Sequence, residues 1–237
     1  MNFLLTNDDG IDAEGLRALE RAIAPLGELY VVAPDQHQSG CSHQVTVDRP
    51  LDLIEHNRNQ YSLNGTPADC VRVALKHMQL PIDWVISGIN HGGNLGVDVF
   101  MSGTVAAVRE GVMHGVPGIA CSHFRNGAVP FNWENAEKAI HRLTRELIEK
   151  PIDRHCFWNI NLPDAEELKP ETEYQMAPLE PEPLPVSYEI RDGRIHYVWG
   201  DYVNRPRTPE SDVGVCFGGK ISLSLINLQT KNASFLS

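Results

Sequence analysis

A short apolar run near the N-terminus changes within two positions to an amide, which two adjacent carboxylates follow. Residues 3–5 have the apolar character of a buried strand, and Asp8-Asp9-Gly10 follows after Thr6 and Asn7. The apolar spacing over residues 14–23 predicts a helix directly after this turn. Ligands of open α/β sheets bind at the carboxyl ends of the strands, which is where both carboxylates lie. Two interpretations stay open: a cation site, or a solvated turn that caps the helix.

Strand and helix patterns alternate along the rest of the first 170 residues. Further strands are predicted at 29–33, 84–86, 118–122 and 157–162, and short strands, as in a side hairpin, at 45–47 and 51–54. Helices are predicted at 67–75, at 105–112 and at 133–148, the first with Thr66 as N-cap and Pro67 as its first residue. This order predicts an α/β fold with a mostly parallel sheet.

The composition changes beyond Pro163, where seven prolines between 170 and 209 interrupt short alternating runs. Residues 186–190 and 194–199, which includes Trp199, flank an Arg-Asp-Gly turn and predict a β-hairpin. We therefore divide the chain into a core over 1–170 and a C-terminal β arm over 171–237, whose last strand, 220–226, returns to the core. Such an arm buries little by itself, so we expect it to pack on a second copy of the chain.

Bulk properties exclude several classes of protein. The 237-residue chain has a formal net charge of −11 and no lysine- or arginine-rich block, which argues against binding to a long nucleic acid. No apolar run is long enough to cross a membrane, and no leader pattern precedes the first strand, so a cytoplasmic location is expected. The five cysteines are scattered without a Cys-x-x-Cys pair, which predicts free thiols rather than disulfides or a zinc site.

Polar residues follow or lie just beyond several predicted strands, and a parallel sheet would bring them to one edge. These residues are Asp8, Asp9, Ser39, Gly40, Asn90, Ser102, Gly103 and Thr104. Two carboxylates, an amide oxygen and a hydroxyl are hard donors that suit Mg²⁺ or Mn²⁺. The Ser-Gly-Thr run at a helix start offers hydroxyl and N–H donors to a phosphate, although Ser102 alone could be a simple N-cap. The absence of a Gly-x-Gly-x-x-Gly motif and of a Walker lysine argues against dinucleotide or nucleoside triphosphate sites.

Five motifs in this order resemble the SurE family of survival-protein nucleotidases. They occupy residues 4–11, 33–43, 64–71, 87–96 and 102–111, the last ending in Glu110-Gly111. The resemblance implies a Rossmann-like, mostly parallel sheet with helices on both faces. It also implies a 5′-nucleotidase, a phosphomonoesterase that releases phosphate from nucleoside monophosphates, and a homodimer or tetramer formed through the C-terminal arm. Two residues depart from the family pattern. Glu14 stands where a proline is common, and Cys41 stands where a small or hydroxyl residue is usual.

The same resemblance implies roles for individual residues. The positions of Asp8, Asp9, Ser39 and Asn90 hold one divalent metal per subunit, Mg²⁺ or Mn²⁺, and those of Ser102, Gly103 and Thr104 lie at the phosphate. We assign Asn7, Gly40 and Asn90 to substrate binding as well, and Asp8 and Asp9 to catalysis. The leaving-group acid stays open among the histidines of four strand ends, which are His37, His43, His91 and His123.

Two mechanisms and two further functions stay open at this point. A metal-activated water could attack phosphorus in line, with Asp8 or Asp9 taking its proton, or an aspartyl phosphate could form. Adjacent carboxylates, rather than the Asp-x-Asp of phosphatases that form such an intermediate, favour the water. A non-catalytic phosphate or nucleotide sensor is the alternative function, and a nicotinamide-dependent enzyme is a weaker one.

Overall fold

The computed structural model describes residues 1–127, 129–198 and 202–229, in which eleven strands and five α-helices are present. The strands are β1 (Asn2–Thr6), β2 (Glu28–Pro34), β3 (Leu53–Asn57), β4 (Gln60–Leu63), β5 (Trp84–His91), β6 (Gly118–His123), β7 (Cys156–Leu162), β8 (Tyr174–Met176), β9 (Ser187–Arg191), β10 (Arg194–Val198) and β11 (Ile221–Asn227). Nine of them form one sheet in the order β3-β4-β2-β1-β5-β6-β7-β11-β8, and β9 and β10 form a separate hairpin.

The centre of the large sheet is parallel, as the sequence predicts. Strand β1 pairs in parallel with β2 on one side and with β5 on the other, and β6 and β7 continue in the same direction. The sheet therefore has one edge at which the carboxyl ends of β1, β2, β5, β6 and β7 meet. Strand β11 breaks the direction, because it runs antiparallel to β7, and β8 pairs in parallel with β11 at the outer edge.

Helices cover both faces of the sheet. They are α1 (Glu14–Ile23), α2 (Pro67–Arg72), α3 (Gly103–Met113), α4 (Trp133–Leu147) and α5 (Asp212–Phe217), with 3-10 turns at Ala24–Leu26 and Gly96–Phe100 and a π-helical turn at Val73–His77. Helices α1 and α4 pack together over one face, and α2 and α3 pack together over the other. Apolar side chains at helical spacing form the first interface, such as Leu16, Leu19 and Ile23 of α1. The α/β architecture with helices on both faces is thus confirmed.

The short elements differ from the sequence-based expectation. Residues 45–47 form no strand, because the backbone N–H and the hydroxyl of Thr46 both donate to the Asp69 carboxylate, at 2.9 and 2.7 Å, instead of to a neighbouring strand. The hairpin at this position consists of β3 and β4, and β4 joins the large sheet in parallel with β2. The strands β4 and β8 and the helix α5 were not predicted.

The C-terminal region contains both predicted β features. The hairpin β9–β10 exposes one apolar face, on which Tyr188 pairs with Tyr197 and Ile190 with Ile195. The last strand lies inside the large sheet as β11. Trp199, which the predicted hairpin included, lies outside the described residues. The division of the chain at residue 170 stays a prediction.

Two expectations about the chain as a whole can be compared with the structure. The five cysteines are free thiols, four of them buried, as their scattered positions predict. Within the described ranges, no helix combines the length and the apolar composition that crossing a bilayer requires.

Candidate active site

The turn after β1 is held by the Asn7 side chain. Its amide nitrogen donates to the Gly10 carbonyl at 2.8 Å, and its amide oxygen accepts from the Gly10 N–H at 3.2 Å. Gly10 has a φ of +102°, a left-handed conformation that favours glycine. Helix α1 begins later, with Ala13 as an N-cap that makes no side-chain bond. The two aspartates between Asn7 and Gly10 therefore do not cap α1, and the capping interpretation of this turn is wrong.

Asp8 is a buried carboxylate in contact with the start of α3. It is 4% exposed, and the Thr104 hydroxyl donates to its Oδ1 at 2.5 Å. Burial raises the pKa of Asp8 to about 6, against the lowering effect of the Thr104 bond and with a further increase from the Asp9 charge. A Cβ at Gly103 would lie 2.9 Å from the Asp8 Cβ, so only glycine lets the helix approach this closely.

Asp9 faces an open cavity of about 490 Å³. Its Oδ2 accepts from the backbone N–H of His91 at 3.2 Å, and its Oδ1 lies 3.6 Å from Nδ1 of His37 and 3.9 Å from Nδ1 of His91. The lining of this cavity also includes Ser39. The structure thus brings Asp9, Ser39 and His91, which follows Asn90, to one cavity. This agrees with the prediction that the ends of the parallel strands bring these segments together.

The loop after β2 carries Ser39 and Gly40 and is fastened to the same place. The Gln38 N–H donates to the backbone carbonyl of Asp8 at 2.7 Å, and the Ser42 N–H donates to the Met101 carbonyl at 3.2 Å. Gly40 has a φ of +75°. Ser39 and Gly40 are exposed. The loop is therefore anchored on both sides of these two residues, between β1 and the segment that precedes α3.

Glu110 anchors the same loop through His43, and its residue type and position in the sequence predict no role for it. Its buried carboxylate bonds Nε2 of His43 at 2.8 Å, Nε of Arg72 at 2.8 Å and Nε2 of His114 at 2.9 Å. Burial alone would raise its pKa, but these hydrogen bonds and the Arg72 charge outweigh burial and lower the pKa to about 2. Since His43 follows Ser42, this ionised carboxylate helps to position the Ser39-Gly40 loop. The Glu-Gly pair in the last motif was the only sequence signal.

Asn90 and Ser102 lie at either end of one connection. The Asn90 amide nitrogen donates to the Gly92 carbonyl at 2.8 Å, so its amide oxygen is the atom it can offer to a cation. The Ser102 hydroxyl oxygen accepts from the Val105 N–H at 3.1 Å, which makes Ser102 the N-cap of α3. The hydroxyl proton of Ser102 can still be donated to a ligand.

The C-terminal part of the chain holds the connection between Asn90 and Ser102. The Asp212 carboxylate accepts from the Gly96 N–H at 2.7 Å. Arg205, fully buried, forms an ion pair with Asp98 and stacks on Tyr202, with 5.1 Å between the guanidinium carbon and the ring centroid. The contacts of Asp212 with Gly96 and of Arg205 with Asp98 join residues more than a hundred positions apart, and no sequence motif indicated them.

The four candidate histidines occupy different environments. His123 is fully buried, burial lowers its pKa to about 4, and its Nδ1 lies 3.0 Å from the Phe124 carbonyl, so it is uncharged at neutral pH. His43 is bound to Glu110. His37 and His91 lie next to Asp9 and are the two that approach the carboxylates.

The donor set suits a hard divalent cation. Asp8 and Asp9 place two adjacent carboxylates at a buried turn, where a divalent charge would offset their repulsion. Among the described residues, no three His, Cys, Asp or Glu side chains are grouped as metal ligands. A cation bound here would therefore also require neutral oxygen donors, which the Ser39 hydroxyl and the Asn90 amide can supply.

Comparison with known proteins places this arrangement in a family. The family model described as "Survival protein SurE" matches residues 3–180. The "5'-nucleotidase SurE" of Acinetobacter baylyi is 35% identical over 248 residues, covering 100% of this chain and 97% of that protein. A Nostoc sp. protein is 47% identical over 232 residues, covering 96% of this chain and all of that protein. The crystal structure of the Aquifex aeolicus SurE protein superimposes with a TM-score of 0.82 at 30% identity, covering 98% of this chain and 95% of that one. The chain belongs to the SurE family.

Proposed function

We propose that this protein is a divalent-metal-dependent 5′-nucleotidase that hydrolyses nucleoside monophosphates to a nucleoside and phosphate. The observation that carries the proposal is the buried Asp8 carboxylate, which lies beside Asp9 and receives a hydrogen bond from Thr104 at the N-terminus of α3. A carboxylate pair of which one member contacts a helix N-terminus combines a cation site with an anion site, as phosphate-ester hydrolysis requires. Relatives named 5′-nucleotidase support the nucleotide as substrate.

Asp8, Asp9, Ser39 and Asn90 would hold the metal, Mg²⁺ or Mn²⁺. When bound, the metal supplies positive charge for a phosphate oxygen and increases the acidity of a coordinated water. Two carboxylates balance the charge of a divalent ion, so the phosphate dianion needs further donors from the protein. We expect the N–H groups of the first turn of α3 and the Ser102 hydroxyl to provide them.

The remaining steps fall to residues around this pair. Asp9, which faces the open cavity, would accept the proton of the attacking water, whereas Asp8 is buried against Thr104. His37 and His91 lie next to Asp9 and are the candidates for protonating the leaving oxygen. Glu110 acts through His43, which makes it a positioning residue for the Ser39-Gly40 loop.

A covalent aspartyl phosphate is the competing mechanism. The burial of Asp8 argues against Asp8 as its nucleophile, since a phosphoryl group would have to enter the space that Gly103 and Thr104 occupy. Asp9 stays possible as a nucleophile. Trapping with hydroxylamine during turnover distinguishes the two routes. An aspartyl phosphate would be converted to a hydroxamate at Asp9, whereas direct attack by water would leave the protein unmodified.

The function is tested by phosphate release from AMP with Mg²⁺, with Mn²⁺ and with a chelator. We expect release only with a metal, and we expect Asp9→Asn to lose most activity and metal affinity while its far-UV circular dichroism stays native. Asp48→Asn, which changes an exposed carboxylate outside the cavity that Asp9 lines, is the matched control. Nucleotide binding without phosphate release would instead identify a sensor. Wild-type activity of Asp9→Asn at equal free metal would remove Asp9 from the site.

A further inference from the structure

An aromatic patch adjoins the candidate active site, and the mechanism above uses only one of its three residues, His91. The patch consists of His91, Phe131 and Trp133. The rings of Phe131 and Trp133 are stacked, with centroids 4.8 Å apart and an interplanar angle of 27°. The His91 ring lies against both, with centroid distances of 5.2 and 4.9 Å. All three side chains are partly exposed, so the patch is a surface feature rather than part of the core.

His91 connects the patch to the carboxylates. Its backbone N–H bonds the Asp9 carboxylate, and its side chain lines the same cavity as Asp9 and Ser39. A phosphate monoester whose phosphate lies at the start of α3 must extend its alcohol portion out of the carboxylate site. The cavity beside Asp9 is also lined by His91, and the other two rings of the patch pack against His91.

We propose that the patch of His91, Phe131 and Trp133 binds the nucleobase of the substrate by stacking. This inference rests on the proposed function and names the group that recognises the base. Every nucleobase has a flat π-face, so stacking recognises bases as a class and tolerates differences in their hydrogen-bonding edges. Arg125 has its guanidinium carbon 4.8 Å from the Phe131 ring centroid and adds a cation to the same surface.

Phe131 is the best position at which to test the patch. Trp133 also packs against the main core and donates from its ring nitrogen to Glu14 at 3.1 Å, so its replacement would disturb the fold. The contacts of Phe131, in contrast, are with the rings of His91, His123 and Trp133 and with Arg125. Phe131→Leu removes the aromatic ring and keeps an apolar side chain.

The assay compares AMP with ribose 5-phosphate, which share the sugar and the phosphate and differ in the base. Phe131→Leu should raise KM for AMP about tenfold with little change in kcat, because stacking holds the substrate equally in the ground and transition states. The ratio of kcat/KM for AMP to that for ribose 5-phosphate should therefore fall about tenfold. Phe131→Tyr, which keeps the ring, should restore the wild-type ratio, and Tyr174→Leu at the outer edge of the sheet serves as the aromatic control.

A direct binding measurement separates this inference from the proposed function. Saturation-transfer NMR with adenosine, which lacks the phosphate, should show transfer from the wild-type protein to the base protons and much weaker transfer with Phe131→Leu. Failure of the wild type to release phosphate from AMP would refute the function and leave this measurement valid. The stacking assignment would be overturned if Phe131→Leu kept the wild-type ratio of kcat/KM between the two substrates, including the case in which both values fall equally. The absence of transfer from the wild type to adenosine would overturn it as well.

Discussion

The Glu110 network allows a stability prediction with a magnitude and a pH dependence. Glu110→Gln replaces a buried carboxylate that bonds His43, Arg72 and His114 by a neutral group of nearly the same shape. The pKa of Glu110 lies at about 2, against an ordinary value of 4.5. At about 1.4 kcal/mol for each pH unit, this difference means that ionised Glu110 stabilises the fold by ~3 kcal/mol relative to its neutral form.

The pH dependence follows from the sign of this difference. A carboxyl group whose pKa is lowered by folding contributes its full stability above the pKa of the unfolded chain, here 4.5. The contribution is lost as the pH falls from 4.5 towards 2. The free energy of unfolding of Glu110→Gln should therefore be ~3 kcal/mol below that of the wild type at pH 7, and this gap should narrow by about 1 kcal/mol at pH 4.

Urea unfolding followed by circular dichroism at pH 7, 5 and 4 measures the gap between the two proteins. Glu137→Gln is the matched control, because Glu137 pairs with Arg21 at 2.6 Å on the surface, where an ion pair contributes less than about 1 kcal/mol. A gap below 1 kcal/mol at pH 7, or one that stays constant down to pH 4, would refute the assignment of this network as a stabilising anchor of the Ser39-Gly40 loop.

Three further predictions concern other contacts of the fold. Thr104→Val removes the hydrogen bond to the buried Asp8 carboxylate in the turn after β1. It should lower the free energy of unfolding by roughly 2 kcal/mol in urea titrations at pH 8, with Thr104→Ser close to wild type. Arg205→Met leaves Asp98 without its buried partner and should cost about 3–5 kcal/mol in the same titration; a cost below 1 kcal/mol would contradict this. Replacing Ile190 and Ile195 by serine should shift the protein towards monomer in analytical ultracentrifugation, whereas an unchanged oligomer would show that the hairpin face is not the interface.

Substitutions within the hairpin test the proposed interface more specifically than deletion of the whole C-terminal arm would. The structure places Tyr202 and Arg205 against the connection that contains Asp98, so a deletion reaching Arg205 would alter the candidate site as well as the oligomer. Surface substitutions within β9 and β10 leave these contacts in place. Metal affinity measured on the same variant should then stay near the wild-type value.

The regular elements of the fold could be predicted because each is encoded by its own residues. Helix α2 begins where Thr66, Pro67 and Asp69 predict, with Thr66 and Asp69 forming a reciprocal capping box. Strands β1 and β5 contain continuous apolar runs, at residues 3–5 and 84–86, as is typical of buried parallel strands. The proximity of Asp8 and Thr104 could also be predicted from local patterns, because Asp8 follows a predicted strand and Thr104 lies just before a predicted helix.

The parts that could not be predicted depend on partners distant in the sequence. The Val-Thr-Val alternation at 45–47 is typical of a strand, but the Asp69 carboxylate provides the hydrogen-bond acceptor, and no sheet edge is needed. Glu110 lies 67 residues from His43, and neither residue type indicates the other. Strand β4 has only two apolar residues in four positions, which is too short a run to distinguish from a turn.

The buried contact between Arg205 and Asp98 has a consequence for synthesis on the ribosome. A nascent chain that has emerged as far as β7 contains β1, β5 and α3, yet Arg205 and Asp212, which hold the connection between Asn90 and Ser102, have not been made. The central strands can pair at that stage, but the donors of β5 and α3 gain their final spacing only after another fifty residues have been translated. Long-range closure of this kind slows folding. Competence to bind a nucleotide should therefore appear abruptly near the end of translation, which ribosome-stalled chains of increasing length would reveal.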